Sequence, residues 1–386
     1  MLPRADWNYP TTIRFGAGRI AELPDACRAL DIARPLLVTD PGLAQMPFVR
    51  NAVSTNRAAG IATELFADIH ANPVGADVEG GVAAYALGSH DGVIALGGGS
   101  ALDVGKMIAF MSGQSRPLWD FEDKQDWWSR ADVRAIAPVI AIPTTAGTGS
   151  EVGRAGVIVD ETERRKKIIF HPRMMPAIVI LDPELTIGLP PHITAATGMD
   201  ALSHCLEAYC APGFHPMADG IAAEGSKLVH DWLVRAYQDG SDLDARGNML
   251  IAATMGATAF QKGLGGMHAL SHTIGALYDT HHGLTNAVLM PYVLAYNRSA
   301  LEARIACLAS YIGLADPSFD GLLQWVLRLR QQLSIPHSLA EIGVGDDRSE
   351  LIARMAESDP SAGGNPLPFD AAAARHVLER ALTGRV

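Results

Sequence analysis

Four short, uninterrupted apolar runs stand at 35–39 (PLLVT), 93–96 (VIAL), 138–142 (PVIAI) and 177–181 (AIVIL). Helical patterns separate them, among these 76–88 and 101–111. An apolar run of this length reads as a strand buried on both faces, and such strands alternating with helices form a parallel sheet covered on either side. Residues 113–132, with Trp119, Trp127, Trp128 and many charges, read as a loop excursion. After Pro190-Pro191 strand-like runs become scarce and long Ala/Leu-rich helical patterns take over. Two prolines suit the first turn of a helix. The expected organisation is an α/β domain over 1–187 and an all-helical domain over 188–386. Interhelical turns are expected at 239–244, 263–266, 334–338 and 363–368.

A chain of 386 residues accommodates two domains, and 48% hydrophobic residues supply a core for each. A net charge of -11 argues against nucleic acid and anionic membrane as partners. No run reaches the length of a membrane-spanning helix. The first ten residues, MLPRADWNYP, show no apolar signal core. Cys27, Cys205, Cys210 and Cys307 lack CxxC spacing, so free thiols and a cytoplasmic location are expected.

Chemistry concentrates between Gly198 and Gly283. On a helix, Asp200 and His204 share one face, and so do His268 and His272. A single such pair is ordinarily a surface pair. Two pairs, with His281-His282 before Gly283, all in apolar helical sequence, describe a divalent metal site instead. Buried imidazoles and carboxylates need partners, and one ion satisfies them together.

Three polar, small-residue loops follow the apolar runs of the first half. Gly97-Gly98-Gly99-Ser100 lies between a strand and a helix. It reads either as a phosphate cradle at a helix N-terminus or as a tight turn capped by Ser100 and Asp103. It is not the GxGxxG fingerprint. Asp40 ends the first run, where a carboxylate accepts hydrogen bonds from ribose hydroxyls and repels a 2′-phosphate; Asp-Pro-Gly is also good turn chemistry. Thr144 to Glu151 (TTAGTGSE) forms the third loop. All three fall beyond the carboxyl ends of strands, where open α/β sheets bind ligands.

These residues resemble the iron-containing, or group III, alcohol dehydrogenases. The resemblance rests on Phe15-Gly16-Ala17-Gly18, Asn72-Pro73, Gly97 to Ser100 with Asp103 and Lys106, and Pro143 to Glu151. It continues through Asp182-Pro183, Thr194 to Leu202, Glu207-Ala208-Tyr209, Gly265 to His272 and His282-Gly283. It implies a Rossmann-like nucleotide-binding domain and a helical domain in a dehydroquinate synthase-like architecture, with the active site in the cleft between them. It implies metal ligands at Asp200, His204, His268 and His282, and a further active-site histidine at His272, whose role is proton relay or orientation of the metal site. His281 has no implied role. It places Asp40, Asn72, Gly98, Gly99, Ser100, Asp103, Thr144, Thr145, Thr148, Lys167, Leu185 and Thr186 along the cofactor.

The implied reaction is NAD(P)-linked hydride transfer between nicotinamide and a primary alcohol or its aldehyde, with Lewis acidity supplied by a divalent ion. NAD is expected over NADP because of Asp40. Nitrogen and oxygen donors leave Fe²⁺ and Zn²⁺ both open, with Fe²⁺ the metal of the resemblance. Arg154, after the third loop, and Lys262, six residues before His268, depart from the short-diol members. They point to a small hydroxy acid and its semialdehyde; Lys262 reads equally as a lysine at a helix C-terminus. A homodimer or higher even oligomer is expected. The alternatives are a dehydroquinate synthase-like lyase, a glycerol dehydrogenase-like enzyme of the same fold, and a nucleotide sensor with a structural metal.

Overall fold

A computed structural model describes residues 11–163 and 165–386. The first ten residues, read above as lacking an apolar signal core, lie outside the described residues. One compact unit takes in 11–145 and 149–188; the other comprises Ala146–Thr148 and Leu189–Val386.

The first unit runs β1 (Thr12–Phe15), α1 (Leu23–Ala29), β2 (Pro35–Val38), α2 (Pro47–Ala58), β3 (Glu64–Phe66), α3 (Gly75–Leu87), β4 (Gly92–Gly97), α4 (Gly99–Met111), β5 (Val139–Pro143), β6 (Ala155–Asp160), β7 (Arg165–Phe170) and β8 (Ile178–Leu181). Six strands form one parallel sheet in the order β1-β8-β5-β4-β2-β3. The four apolar runs are its central strands β2, β4, β5 and β8, because strands covered on both faces have no polar side to show in sequence. The edge strands β1 and β3 were not legible, since both are largely exposed and carry no apolar run. The antiparallel hairpin of β6 and β7 also escaped, although its alternating burial follows a period of two.

Ile94 and Leu96 of β4 pack with Leu23 of α1, Val49 of α2, and Ile140, Ile142, Ile178 and Ile180 of the neighbouring strands. Segment 113–132, expected as a loop, is anchored by buried Leu118 and Phe121, which pack with Met107 and Phe110 of α4. The strand order reverses at β2, which has β3 on one side and β4 on the other. Loops leaving β2 and β4 therefore part at their carboxyl ends and leave a crevice.

The second unit is helical: α5 (Pro191–Cys210), α6 (Pro216–Gln238), α7 (Leu243–Ala259), α8 (Gly266–Tyr278), α9 (His282–Tyr296), α10 (Arg298–Ile312), α11 (Phe319–Gln332), α12 (Ser349–Glu357) and α13 (Ala371–Thr383). Pro191 opens α5 at its first position. From Thr194 to Ala208 every residue of α5 is buried, so it is the central helix of the unit. Glycines let neighbours close on it. A Cβ on Gly256 of α7 would stand 3.0 Å from the His204 Cβ, and one on Gly283 of α9 would stand 2.5 Å from the Ala196 carbonyl. The four cysteines are unpaired, and among the described residues no helix is long and apolar enough to cross a membrane.

Candidate functional site

Helix α5 presents Asp200, His204 and Glu207 at positions i, i+4 and i+7, one continuous face. Helix α8 presents His268 and His272. Helix α9 begins at His282 and places Asn286 one turn on. One donor atom from each of Asp200, His204, His268 and His282 falls within 4.8 Å of the others. The rings of His204 and His268 stack with centroids 4.8 Å apart, and those of His272 and His282 with centroids 5.3 Å apart. His281 turns away: its side chain caps α9 by accepting from the Leu284 N–H.

Burial shapes the chemistry of this group. Burial is the largest influence on His204 and pushes it down to about 4, against the opposing charge of Asp200, so the imidazole is neutral at physiological pH. Its Nδ1 faces the Gly147 backbone without an aligned hydrogen bond. For His268 burial also disfavours charge, but the hydrogen bond and charge of Glu207 outweigh it and hold the ring above the usual histidine value. His268 Nδ1–H donates to Glu207 Oε2 at 2.6 Å, and the Met267 N–H donates to Glu207 Oε1 at 2.7 Å. Asn286 Nδ2 donates to Asp200 Oδ1 at 2.9 Å and lies 3.2 Å from Nε2 of both His268 and His282. His272 Nδ1–H donates to Asp359 Oδ2 at 3.0 Å, and the Ser361 N–H holds the other carboxylate oxygen at 2.8 Å. Burial would raise the Asp359 carboxyl, but His272 and Ser361 together keep it below the ordinary value.

A buried carboxylate is costly without a cation beside it. Asp200 has no lysine or arginine partner among the described residues; Asn286 and Ser203 donate hydrogen bonds to it, and His282 lies 3.7 Å away. The donor set therefore fits a divalent ion, with one carboxylate and three imidazoles in reach of a single point.

Sequence reasoning does not single out Glu207, Asn286 and Asp359 as site residues. Glu207 and Asn286 carried a signal, being i+3 from His204 and i+4 from His282. Asp359 carried none, because 87 residues separate it from its partner.

In the sheet unit, Asp40 at the end of β2 accepts from the Gly98 N–H at 3.0 Å, joining the two sides of the crevice. Burial raises the Asp40 carboxyl, and the Gly98 bond opposes this. Gly97 turns at φ 153, a left-handed conformation that favours glycine, and a Cβ there would collide with Asp40 Oδ2. A Cβ on Gly98 would meet only ordinary contacts, at 3.8 Å from Thr145 and 3.9 Å from Asp40. That space and the uncapped first turn of α4 suit a phosphate. Ser100 Oγ reaches back to the Ala71 carbonyl at 2.5 Å, beside Asn72, and the Thr144 N–H donates to Gly97 O at 2.9 Å. Asp40, Gly98, Gly99, Ser100, Asn72, Thr144 and Thr145 thus gather around one turn.

Other expected residues are engaged elsewhere. Asp103 makes no cap with Ser100; it bonds Ser150 Oγ and accepts from the Val157 N–H at 2.9 Å. Buried Lys106 reinforces that link, reaching Asp103 at 3.2 Å and the Ser150 carbonyl at 2.9 Å. Lys167 pairs with Asp160 at 2.6 Å and Glu163 at 2.8 Å. Leu185 packs in the core with Ile178 and Ile180. Thr186 Oγ1 donates to the Pro183 carbonyl at 2.9 Å. Thr148 belongs with the helical unit. Lys262 Nζ, almost wholly buried, pairs with Asp219 at 2.6 Å, and Arg304 shares that carboxylate at 2.7 Å. Its ammonium is already neutralised by the fold. Arg154 differs: its guanidinium lies over the Phe170 ring at 5.5 Å, and no carboxylate among the described residues is within 4.0 Å of it.

Comparison with known proteins identifies the family. The sequence profile of the iron-containing alcohol dehydrogenases matches residues 10–183, and the C-terminal profile of the same family matches 194–382. A 4-hydroxybutyrate dehydrogenase of Cupriavidus necator is 38% identical over 384 residues, covering 97% of this chain and 99% of the relative. A solved 1,3-propanediol oxidoreductase superposes with a TM-score of 0.93 at 32% identity, over 98% of this chain and 100% of that one. A sulfoacetaldehyde reductase of Bifidobacterium kashiwanohense, solved with NAD⁺, superposes with a TM-score of 0.88 at 27% identity, over 97% of this chain and 98% of that one. With its parallel-sheet and helical units and its carboxylate–histidine cluster, the chain belongs to the iron-containing alcohol dehydrogenase family and is an oxidoreductase of NAD-linked, metal-dependent alcohol chemistry.

Proposed function

We propose that the chain interconverts a small ω-hydroxy acid and its semialdehyde. The observation that carries this reading is Arg154, a partly buried guanidinium without an ion-pair partner among the described residues. A cation in that state is a ready contact for a substrate carboxylate. The 4-hydroxybutyrate dehydrogenase of C. necator, at 38% identity, supports the same class.

In this reading Asp200, His204, His268 and His282 hold one divalent ion, Fe²⁺ by family and Zn²⁺ by donor chemistry. When bound, the ion supplies Lewis acidity that lowers the pKa of an alcohol hydroxyl. Asp359 fixes the Nδ1–H of His272, which leaves the His272 Nε2 lone pair to take the hydroxyl proton and pass it to solvent. Backbone N–H groups of the Gly98 turn receive the cofactor phosphates, and Asp40 favours NAD over NADP by repelling a 2′-phosphate. A higher kcat/KM with NADP than with NAD would overturn the role given to Asp40. The enzyme is taken to be cytoplasmic and a homodimer or higher even oligomer; a monomer by light scattering at micromolar concentration excludes the latter.

The substrate test compares ω-hydroxy acids with neutral primary alcohols of matched chain length. The hydroxy acids should have the higher kcat/KM. Arg154→Met should lower that advantage by about 10- to 100-fold, the scale of a lost charge-assisted hydrogen bond of roughly 1.5–3 kcal/mol. Neutral alcohols should be little affected. Lys262→Met should leave the preference in place, since that ammonium is held by Asp219. Equal efficiency toward both substrate classes would remove the hydroxy-acid reading.

A further inference from the structure

We infer that Glu207 is a positioning residue for the metal centre, acting through His268. The inference rests on the reading of Asp200, His204, His268 and His282 as metal ligands. Glu207 is buried, with both carboxylate oxygens engaged on helix α8: Oε2 by the Nδ1–H of His268 at 2.6 Å and Oε1 by the Met267 N–H at 2.7 Å. The first bond fixes the ring orientation and the tautomer, so that the His268 lone pair is on Nε2, turned to Asn286 and the other donors. The second pins the carboxylate to the opening turn of α8, so the carboxylate cannot follow the ring if it rotates and the Nδ1–H bond is lost. Close packing holds the carboxylate from behind. A Cβ on Gly265 would stand 2.9 Å from Oε1, so no side chain fits there without moving it.

Charge points the same way. Like Asp200, Glu207 has no lysine or arginine partner among the described residues. Glu207 thus adds a second buried carboxylate beside the imidazoles, and its charge offsets part of that of a bound divalent ion.

The test uses the full chain, stripped of metal and titrated with Zn²⁺ against a chromophoric chelator. Glu207→Gln should bind Zn²⁺ about 10- to 100-fold more weakly than wild type, the usual range for loss of an outer-shell carboxylate. Its Co²⁺-loaded form should show a shifted visible absorption band, which a purely structural residue would not cause. Gly265→Ala, which keeps the carboxylate but displaces it, should shift the band and weaken binding too. It serves as the deciding variant if Glu207→Gln does not fold. Zn²⁺ affinity within threefold of wild type, or a wild-type Co²⁺ band, in the folded variant overturns the inference. If wild type itself binds no Zn²⁺ stoichiometrically, the metal reading fails and the inference with it. If wild type binds and the variants bind equally, only the role of Glu207 fails.

Discussion

His204 shows how burial keeps an imidazole neutral. Its ring is pushed down to about 4, whereas an unfolded chain titrates near 6.5. Between these values the unfolded chain binds a proton that the folded protein does not. The sign follows: the metal-free protein keeps this contribution above pH 6.5 and loses it as pH falls toward 4. From pH 7 to pH 5 the loss should be about 2 kcal/mol. Urea unfolding of the metal-free protein at both pH values, beside His204→Asn, measures it. A pH dependence that survives unchanged in His204→Asn would show that another group is responsible. Lys262 illustrates the opposite outcome. Its sequence setting suggested a charge awaiting a ligand, but the fold supplies Asp219. A lysine's partner comes from another helix, and nothing local announces it.

At the scale of elements, the centre depends on how closely α9 lies on α5. A Cβ on Gly283 would meet the Ala196 carbonyl at 2.5 Å and the Asp200 Cβ at 3.0 Å. Gly283→Ala must therefore push the start of α9, and His282 with it, away from Asp200. Overpacking of this kind costs about 1–3 kcal/mol. The expected result is a protein destabilised by that amount with sharply reduced metal content, read by urea unfolding and elemental analysis. Full metal occupancy in Gly283→Ala would mean that the packing tolerates the displacement. Helical spacing made Asp200 with His204, and His268 with His272, legible as shared faces. Spacing alone did not distinguish His281 from His282, because the cap of α9 decides which ring turns inward.

For the whole molecule, an ion bound to the folded state alone adds stability by mass action, about 2.7 kcal/mol at a free concentration 100 times Kd. Chelation should lower the melting temperature seen by calorimetry, and added Zn²⁺ should restore it. In Asp200→Ala the Zn²⁺-dependent rise should vanish, while stabilisation by NAD should persist, because the glycine turn belongs to the other unit. A Zn²⁺-dependent rise that persists in Asp200→Ala would place the ion elsewhere.

The sequence by itself determined the central strands, the change to helices near Pro190, the shared helical faces and the glycine turn. Each depends on a local period or a local backbone requirement. The resemblance added the proposed ligand set. Tertiary structure alone decided the rest: the edge strands, the reversal of strand order at β2, the pairing of Lys262 with Asp219, and the carboxylates on His268 and His272. Glu207 and His268 are 61 residues apart and His272 and Asp359 are 87 apart. Such pairs form because buried polar groups must find partners in three dimensions, a demand that local sequence does not record.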